Sequence, residues 1–184
     1  MDKGWRLIEG QILLAGNRER RVGWISAWKL RRAIVAYEEA LKINPEGWQS
    51  MWALGKIYQR TGDDQMSLDW FSQSFEINPT QPDVAREAGL AALNTGDGVA
   101  AIRFCLAACS NNPDDPGLAA NLAWAYLIGG DQEKARELAR QAVSRDPDDE
   151  ISRRVLKIVE EVASGSRPTP KSLLDIERRQ RWFL

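Results

Sequence analysis

Two kinds of helix-breaking pair return every 34 residues through the middle of this 184-residue chain. The first is an Asn-Pro or Asp-Pro pair, whose prolines are Pro45, Pro79, Pro113 and Pro147. The second is a Gly-Asp pair, whose glycines are Gly62, Gly96 and Gly130. Proline cannot continue a helix, whereas glycine accepts a positive φ and aspartate caps the helix that follows. Two breakers in each period predict two helices in each period, which is typical of a stacked helical repeat.

The residues between these breakers resemble the tetratricopeptide repeat (TPR) family. The repeat that starts at Trp48 matches best and has the signature residues Leu54, Gly55, Tyr58, Phe71 and Pro79. The next repeat keeps Gly89, Ala101, Ala108 and Pro113, with Ala92 and Cys105 in place of aromatic residues. The third repeat keeps Leu122, Ala123, Tyr126, Ala135, Ala142 and Pro147. Upstream, the second helix of an earlier repeat is matched by Ala33, Tyr37, Ala40 and Pro45.

This resemblance implies an all-α fold, a right-handed superhelical solenoid of antiparallel helix pairs with about four repeats, a capping helix and a C-terminal helix. We expect residues 1–164 to form a single TPR-like solenoid. Its first repeat is degenerate, with a helix at 3–15 and an insertion at 17–32. Clear repeats follow at 48–81, 82–115 and 116–149, and the capping helix at 150–164.

The helices of the clear repeats are predicted at 47–60 and 65–77, at 82–94 and 98–111, and at 117–128 and 132–145. Residues 165–184 are predicted to form a linker and a C-terminal amphipathic helix. Ser172 and Asp175 have the spacing of a capping box at the start of that helix.

Composition argues against several kinds of function. The formal net charge is −1, so no overall field attracts nucleic acid or an acidic surface. The chain has no histidine, the commonest general acid-base residue, and no nucleophile signature or glycine-rich phosphate loop. We therefore expect no enzymatic activity, no cofactor and no small-molecule substrate. Cys105 and Cys109 are predicted to be small core residues, because two thiols without histidine rarely complete a zinc site.

The sequence also bears on localisation. It contains no apolar run of ~20 residues, the length that a membrane-spanning helix needs. Its first residues lack the basic start, apolar stretch and cleavage site of a signal peptide. If the chain begins at its natural start, the predicted location is the cytoplasm, with peripheral membrane attachment as an alternative.

In the family that this chain resembles, a second stripe on the first helix of each repeat lines a concave groove that binds a peptide or helix. Transferred position by position, the first row of that groove is Gln49, Trp52, Lys56, Gln59 and Arg60. The second row is Asp83, Arg86, Leu90, Leu93 and Asn94. The third row is Ala120, Trp124, Leu127 and Ile128. The rows are basic at one end and apolar at the other, which favours an amphipathic helix or extended peptide of a partner protein.

We therefore expect a non-enzymatic scaffold or chaperone-like adaptor for protein–protein interaction. A clamp for a chaperone's C-terminal carboxylate is not expected, because the asparagine that such family members use is missing at every matching position. Trp124 and Leu127 have an alternative role, which is to pack on a neighbouring helix or on the C-terminal tail.

Two further alternatives stay open. In one, the C-terminal helix fills the groove of its own chain or of a second copy, which gives an autoinhibited chain or a homodimer. In the other, a basic segment rich in tryptophan docks on a membrane surface or nucleic acid, although no nucleic-acid-binding motif accompanies it. That docking patch consists of Arg18, Arg20, Arg21, Trp24, Trp28, Lys29, Arg31 and Arg32.

Overall fold

A computed structural model describes the backbone of residues 24–180 and the side chains of residues 28–176. The predicted helix at 3–15 and the start of the predicted insertion, residues 17–23, lie outside the described residues. Within the described part, the chain forms nine helices and no strand. These helices belong to two compact units, one that ends at Pro79 and one that begins at Thr80.

The first unit has three described helices, namely α1 (Trp24–Ile43), α2 (Trp48–Thr61) and α3 (Asp64–Ile77). Helix α2 packs against both α1 and α3. The core of α1 and α2 consists of Leu30, Ala33, Tyr37, Ala53, Leu54 and Ile57. Because α1 is continuous, the predicted insertion 17–32 is helical from Trp24 onwards and belongs to the same helix as the signature residues.

The second unit has six helices: α4 (Pro82–Thr95), α5 (Gly98–Asn111), α6 (Pro116–Ile128), α7 (Gln132–Arg145), α8 (Glu150–Ala163) and α9 (Leu173–Gln180). Consecutive helices from α4 to α8 pack against each other, α6 also contacts α4 and α8, and α9 contacts α4. From α2 to α8, the predicted helices are confirmed to within one residue at each end.

The turn chemistry predicted from the two breakers is confirmed. The glycine of each Gly-Asp pair has a left-handed backbone, with φ of 84°, 82° and 91° at Gly62, Gly96 and Gly130. The aspartate that follows accepts a hydrogen bond of 3.0–3.1 Å from a backbone N–H three residues later. Before each proline, the helix ends with a backbone N–H bond to the carbonyl four residues earlier, as at Asn78, Asn112 and Asp146.

The two helices of a repeat cross closely because glycine stands at the crossing point. A Cβ atom added to Gly55 would lie 2.6 Å from Cδ1 of Phe71, a ring with no exposed surface. One period later, a Cβ atom added to Gly89 would lie 2.8 Å from Sγ of Cys105. In the third repeat both positions are alanine. The first helix thus carries a side chain at this point only where its partner's side chain is small.

Candidate functional site

Helix α2 carries the first predicted row as a mixed polar and aromatic surface. Gln49 is exposed, whereas Trp52, Gln59 and Arg60 are half-buried. Lys56 is buried, with 1% of its surface exposed, and its Nζ lies 6.0 Å from the centroid of the Trp52 ring. That separation is within the range of a cation–π interaction. The indole N–H of Trp52 is shielded from solvent and meets no hydrogen-bond acceptor among the described residues.

Helix α4 carries the second predicted row. Asp83 is exposed, Arg86, Leu90 and Asn94 are half-buried, and Leu93 has no exposed surface. Nη2 of Arg86 lies 2.5 Å from Oδ1 of Asp83, which is one turn earlier on the same helix. A partly exposed pair of this kind contributes little to stability. Its main effect is to hold the guanidinium group along the helix, toward the N-terminal end of α4.

The third predicted row lies on α6 and is mostly interior. Ala120 and Leu127 have no exposed surface, Trp124 is 5% exposed, and only Ile128 is half-buried. Helix α6 contains no charged residue and packs against four helices, α4, α5, α7 and α8. A helix that is apolar on all sides is normally buried. The structure therefore places Trp124 and Leu127 against neighbouring helices, which is the alternative role considered for them from the sequence.

The predicted docking patch is partly described. Trp28 is 53% exposed, Arg31 and Arg32 are exposed, and Lys29 is half-buried on α1. Cζ of Arg32 lies 4.8 Å from the centroid of the Trp28 ring, so the guanidinium group sits over the indole. The remaining candidates, Arg18, Arg20, Arg21 and the side chain of Trp24, lie outside the described residues.

The cysteine thiols lie in an environment that disfavours the thiolate. Cys105 is buried and Cys109 is half-buried, and burial raises the pKa of both thiols. Thiols with raised pKa values are protonated near neutral pH and are weak nucleophiles. The described residues hold no cluster of three or more His, Cys, Asp or Glu side chains with the geometry of a metal site. Among the described helices, none has both the length and the apolar character to cross a bilayer.

Sequence reasoning missed the contacts that hold the capping helix. Glu160 on α8 accepts a hydrogen bond of 2.6 Å from Nη2 of Arg140, and Nε of Arg136 lies 3.2 Å from its other oxygen. Both arginines belong to α7. The periodic spacing of the family signature contains no signal for this ion-pair cluster.

Comparison with protein families gives the same repeat as the geometry. Two family models, both described as tetratricopeptide repeat, match residues 28–82 and residues 104–137. The chain contains tetratricopeptide repeats. In the first unit the matches cover α1 from Trp28 onwards, α2 and α3; in the second they cover the end of α5, all of α6 and the start of α7.

Solved structures support the fold. A crystal structure of MamA is 20% identical, with a TM-score of 0.66, over 85% of this chain and 94% of that chain. MamA from Desulfovibrio magneticus RS-1 is 19% identical, with a TM-score of 0.65, over 74% of this chain and 77% of that chain. The predicted all-α TPR fold is confirmed, because consecutive helix pairs pack as they do in these repeat proteins.

Two further likenesses are more limited. The first TPR of Spaghetti (RPAP3), solved with the HSP90 peptide SRMEEVD, is 14% identical, with a TM-score of 0.56, over 64% of this chain and 93% of that chain. At this identity the likeness shows the fold alone. The 131 kDa subunit of transcription factor tau from Saccharomyces cerevisiae is 28% identical over 61 residues. The matched segment is 33% of this chain and 6% of that much longer protein.

Proposed function

We propose that this chain is a non-enzymatic scaffold that binds a segment of a partner protein on the first helices of its repeats. The observation that carries the proposal is the surface of α2. The signature residues Leu54 and Gly55 are buried, while the row beside them keeps the half-buried Trp52 next to the exposed Gln49. An aromatic side chain that is partly open and flanked by polar groups is typical of a binding anchor.

The area of the Trp52 side chain limits the binding free energy that a ligand can gain from covering it. A tryptophan buries ~150–250 Å² when it is fully covered. Trp52 is already half-buried, so a ligand covers roughly half of that area. At about 25 cal/mol per Å², the gain is at most ~2–3 kcal/mol before ordering costs. One such contact supports weak binding, and a useful affinity requires additional contacts along the same helix.

The open charge on the row favours a ligand with acidic residues. Arg60 is half-buried at the C-terminal end of α2, whereas the Lys56 ammonium is buried by the Trp52 ring. A partly open charge such as that of Arg60 orients a ligand and raises its association rate more than its affinity. We therefore propose an amphipathic helix or extended segment with apolar and acidic side chains as the ligand. The positions matching the carboxylate-clamp asparagine hold Lys56 and Leu90 instead, so a free C-terminal carboxylate is not proposed.

The proposal is tested by comparing two tryptophan truncations of the full chain. Trp52→Ala removes the proposed anchor, and Trp28→Ala removes the same side chain from the separate surface on α1. Both variants and the parent are immobilised, exposed to native lysate, and the captured proteins are quantified by mass spectrometry. We expect a partner that is lost with Trp52→Ala and retained with Trp28→Ala, while the helical circular dichroism stays unchanged. Full retention with Trp52→Ala would reject the α2 surface as the binding site.

A second candidate function rests on α1. The exposed Trp28 and the Arg32 guanidinium over its ring form a cationic, aromatic surface. Such a surface would serve peripheral docking to phosphate groups, with about 1 kcal/mol per nearby basic residue on an anionic membrane. Binding to anionic vesicles and to an oligonucleotide, measured at rising ionic strength, separates the two phosphate sources. Absence of binding to both at low salt would remove this candidate.

A further inference from the structure

The segment that follows the capping helix α8 is held at its N-terminal end by hydrogen bonds to that helix. We call residues 165–176 the tail. The backbone N–H of Arg167 donates to the carbonyl of Glu161 at 3.0 Å, and the hydroxyl of Ser166 donates to the same oxygen at 2.9 Å. Nε of Arg167 also lies 3.0 Å from Oε2 of Glu161. These bonds turn the chain at the end of α8, so the tail leaves in a defined direction.

The other end of the tail packs on α4. Helix α9, which begins at Leu173, contacts α4, and Ile176 is only 3% exposed. The carbonyl of Lys171 occupies the space beside Gly96, at the C-terminal end of α4, where a Cβ atom would otherwise stand. The backbone N–H of Lys171 donates to Oδ2 of Asp175 at 3.1 Å, which closes the turn before α9. The acceptor is the predicted Asp175, but its partner is the backbone N–H of Lys171 instead of that of Ser172, so a single bond replaces the predicted reciprocal capping box.

The tail therefore contacts a helix that carries a predicted ligand row. Leu93 of that row has no exposed surface and Leu90 is half-buried. We infer that the tail is an internal occupant of the α4 surface, and that an external ligand for α4 competes with it. This inference rests on the proposed function, because it assumes that α4 is a recognition surface. It also specifies the ligand, which is a short helix with apolar residues at the spacing of Leu173 and Ile176.

The structure of the tail suits an occupant that can be displaced. Helix α9 has eight residues, and Leu173 and Leu174 are only half-buried. Ile176 is the buried apolar anchor of the described tail. The connection to α8 is short, so the tethered helix has an effective concentration of about millimolar. An untethered copy at micromolar concentration should therefore bind only when the internal helix has been released.

The test uses the full chain and a fluorescent peptide with the sequence of residues 170–184. Ile176→Glu in the chain places a charge at the buried anchor and should release the tail. Lys171→Ala is the matched control, because it removes an exposed side chain of the same segment and keeps the backbone carbonyl beside Gly96. Ile176→Ala is a milder release variant in case the charged one unfolds. A peptide that itself carries Ile176→Glu serves as the non-binding probe.

We expect the native peptide to bind the Ile176→Glu chain at least about tenfold more tightly than the parent chain or the Lys171→Ala chain. Anisotropy measures the affinity, and circular dichroism confirms that each chain is folded. A folded release variant that fails to bind the peptide would overturn the inference, as would equal binding by the parent chain. The peptide measurement does not involve Trp52, so the two proposals can fail separately. If Trp52→Ala abolishes partner capture but no variant binds the peptide, the proposed function stands and the inference about the tail is rejected.

Discussion

The glycine at the crossing point of each repeat gives a sharp test of the packing. In an exposed helix, replacing glycine by alanine stabilises by about 1 kcal/mol, because alanine has the higher helix propensity. At Gly55 the added methyl would lie 2.6 Å from Cδ1 and 2.9 Å from Cγ of Phe71. An ordinary carbon contact needs ~3.5–4.0 Å, so the two helices must separate by about 1 Å.

The buried ring leaves little room for that movement. Phe71 has no exposed surface, and Cγ is fixed close to the backbone of α3. Overpacking of this kind costs ~1–3 kcal/mol, against a helix-propensity gain of about 1 kcal/mol. We expect Gly55→Ala to lower the free energy of unfolding by up to about 2 kcal/mol, measured by urea unfolding with helical circular dichroism as the signal.

The second repeat provides the matched double-mutant cycle. Gly89→Ala collides with Sγ of Cys105, the terminal atom of a small side chain. Cys105→Ala removes that atom and makes the pair alanine and alanine, as in the third repeat at Ala123 and Ala139. We expect Gly89→Ala to destabilise the parent chain and to be neutral or stabilising by up to about 1 kcal/mol in the Cys105→Ala background. If both glycine substitutions stabilise the parent chain, close helix crossing is not the reason for these glycines.

Three further predictions use other parts of the chain. In the Gly96→Ala and Gly130→Ala variants, alanine has a left-handed backbone, which costs about 1–2 kcal/mol in each. Only the Gly96→Ala methyl also collides with the tail, so that variant should have the lower melting temperature of the two. Asp149→Ala should cost ~1 kcal/mol of stability. Hydrogen bonds from the Ser152 hydroxyl and from the backbone N–H groups of Ser152 and Ile151 lower the pKa of Asp149, so this cap is complete at neutral pH and is lost as the pH falls through the folded-state pKa. An alkylating reagent should label Cys109 before the buried Cys105; equal labelling rates in the folded chain contradict this packing.

Most of the fold could be predicted because its signals are local. Each turn is determined by its glycine and aspartate, and the end of each second helix by the proline that follows it. The hydrogen bonds involved join residues only three or four positions apart. Because the same residues recur in each repeat, a turn that is predicted correctly once is predicted correctly in all three. The hydrogen bonds of the Ser67 and Ser74 hydroxyls could not be predicted from such local signals. They donate to the carbonyls of Gly55 and Trp48 on the facing helix, at positions where later repeats have alanine.

The start of α1 was harder to predict for a different reason. Residues 17–32 are too long for the turn of a repeat, so the sequence predicts an insertion there. From Trp24 onwards they continue the same helix, with Leu30 buried and Trp28 exposed. A run of good helix formers without a breaker between Trp24 and Ile43 was the available signal. Family spacing does not detect it, because a longer helix adds residues without changing the signature.

The candidate site depends on contacts that the repeat pattern does not contain. Transferring row positions from one repeat to the next assumes that every first helix keeps one open side. Helices α2 and α4 keep partly open residues at Trp52 and Leu90, but α6 is surrounded by four helices of its own unit. The absence of any charge in α6 was the sequence signal for this burial.

The two partly open rows, on α2 and α4, differ in what already covers them. On α4, the tail contacts the helix, so under the inference drawn above a ligand has to displace a part of the chain that is present at high effective concentration. On α2, the exposed Gln49 and the half-buried Trp52 stand beside a buried signature stripe. Competition with the tail therefore predicts an order of binding: α2 should bind ligand in the resting chain, and α4 only after the tail has been released.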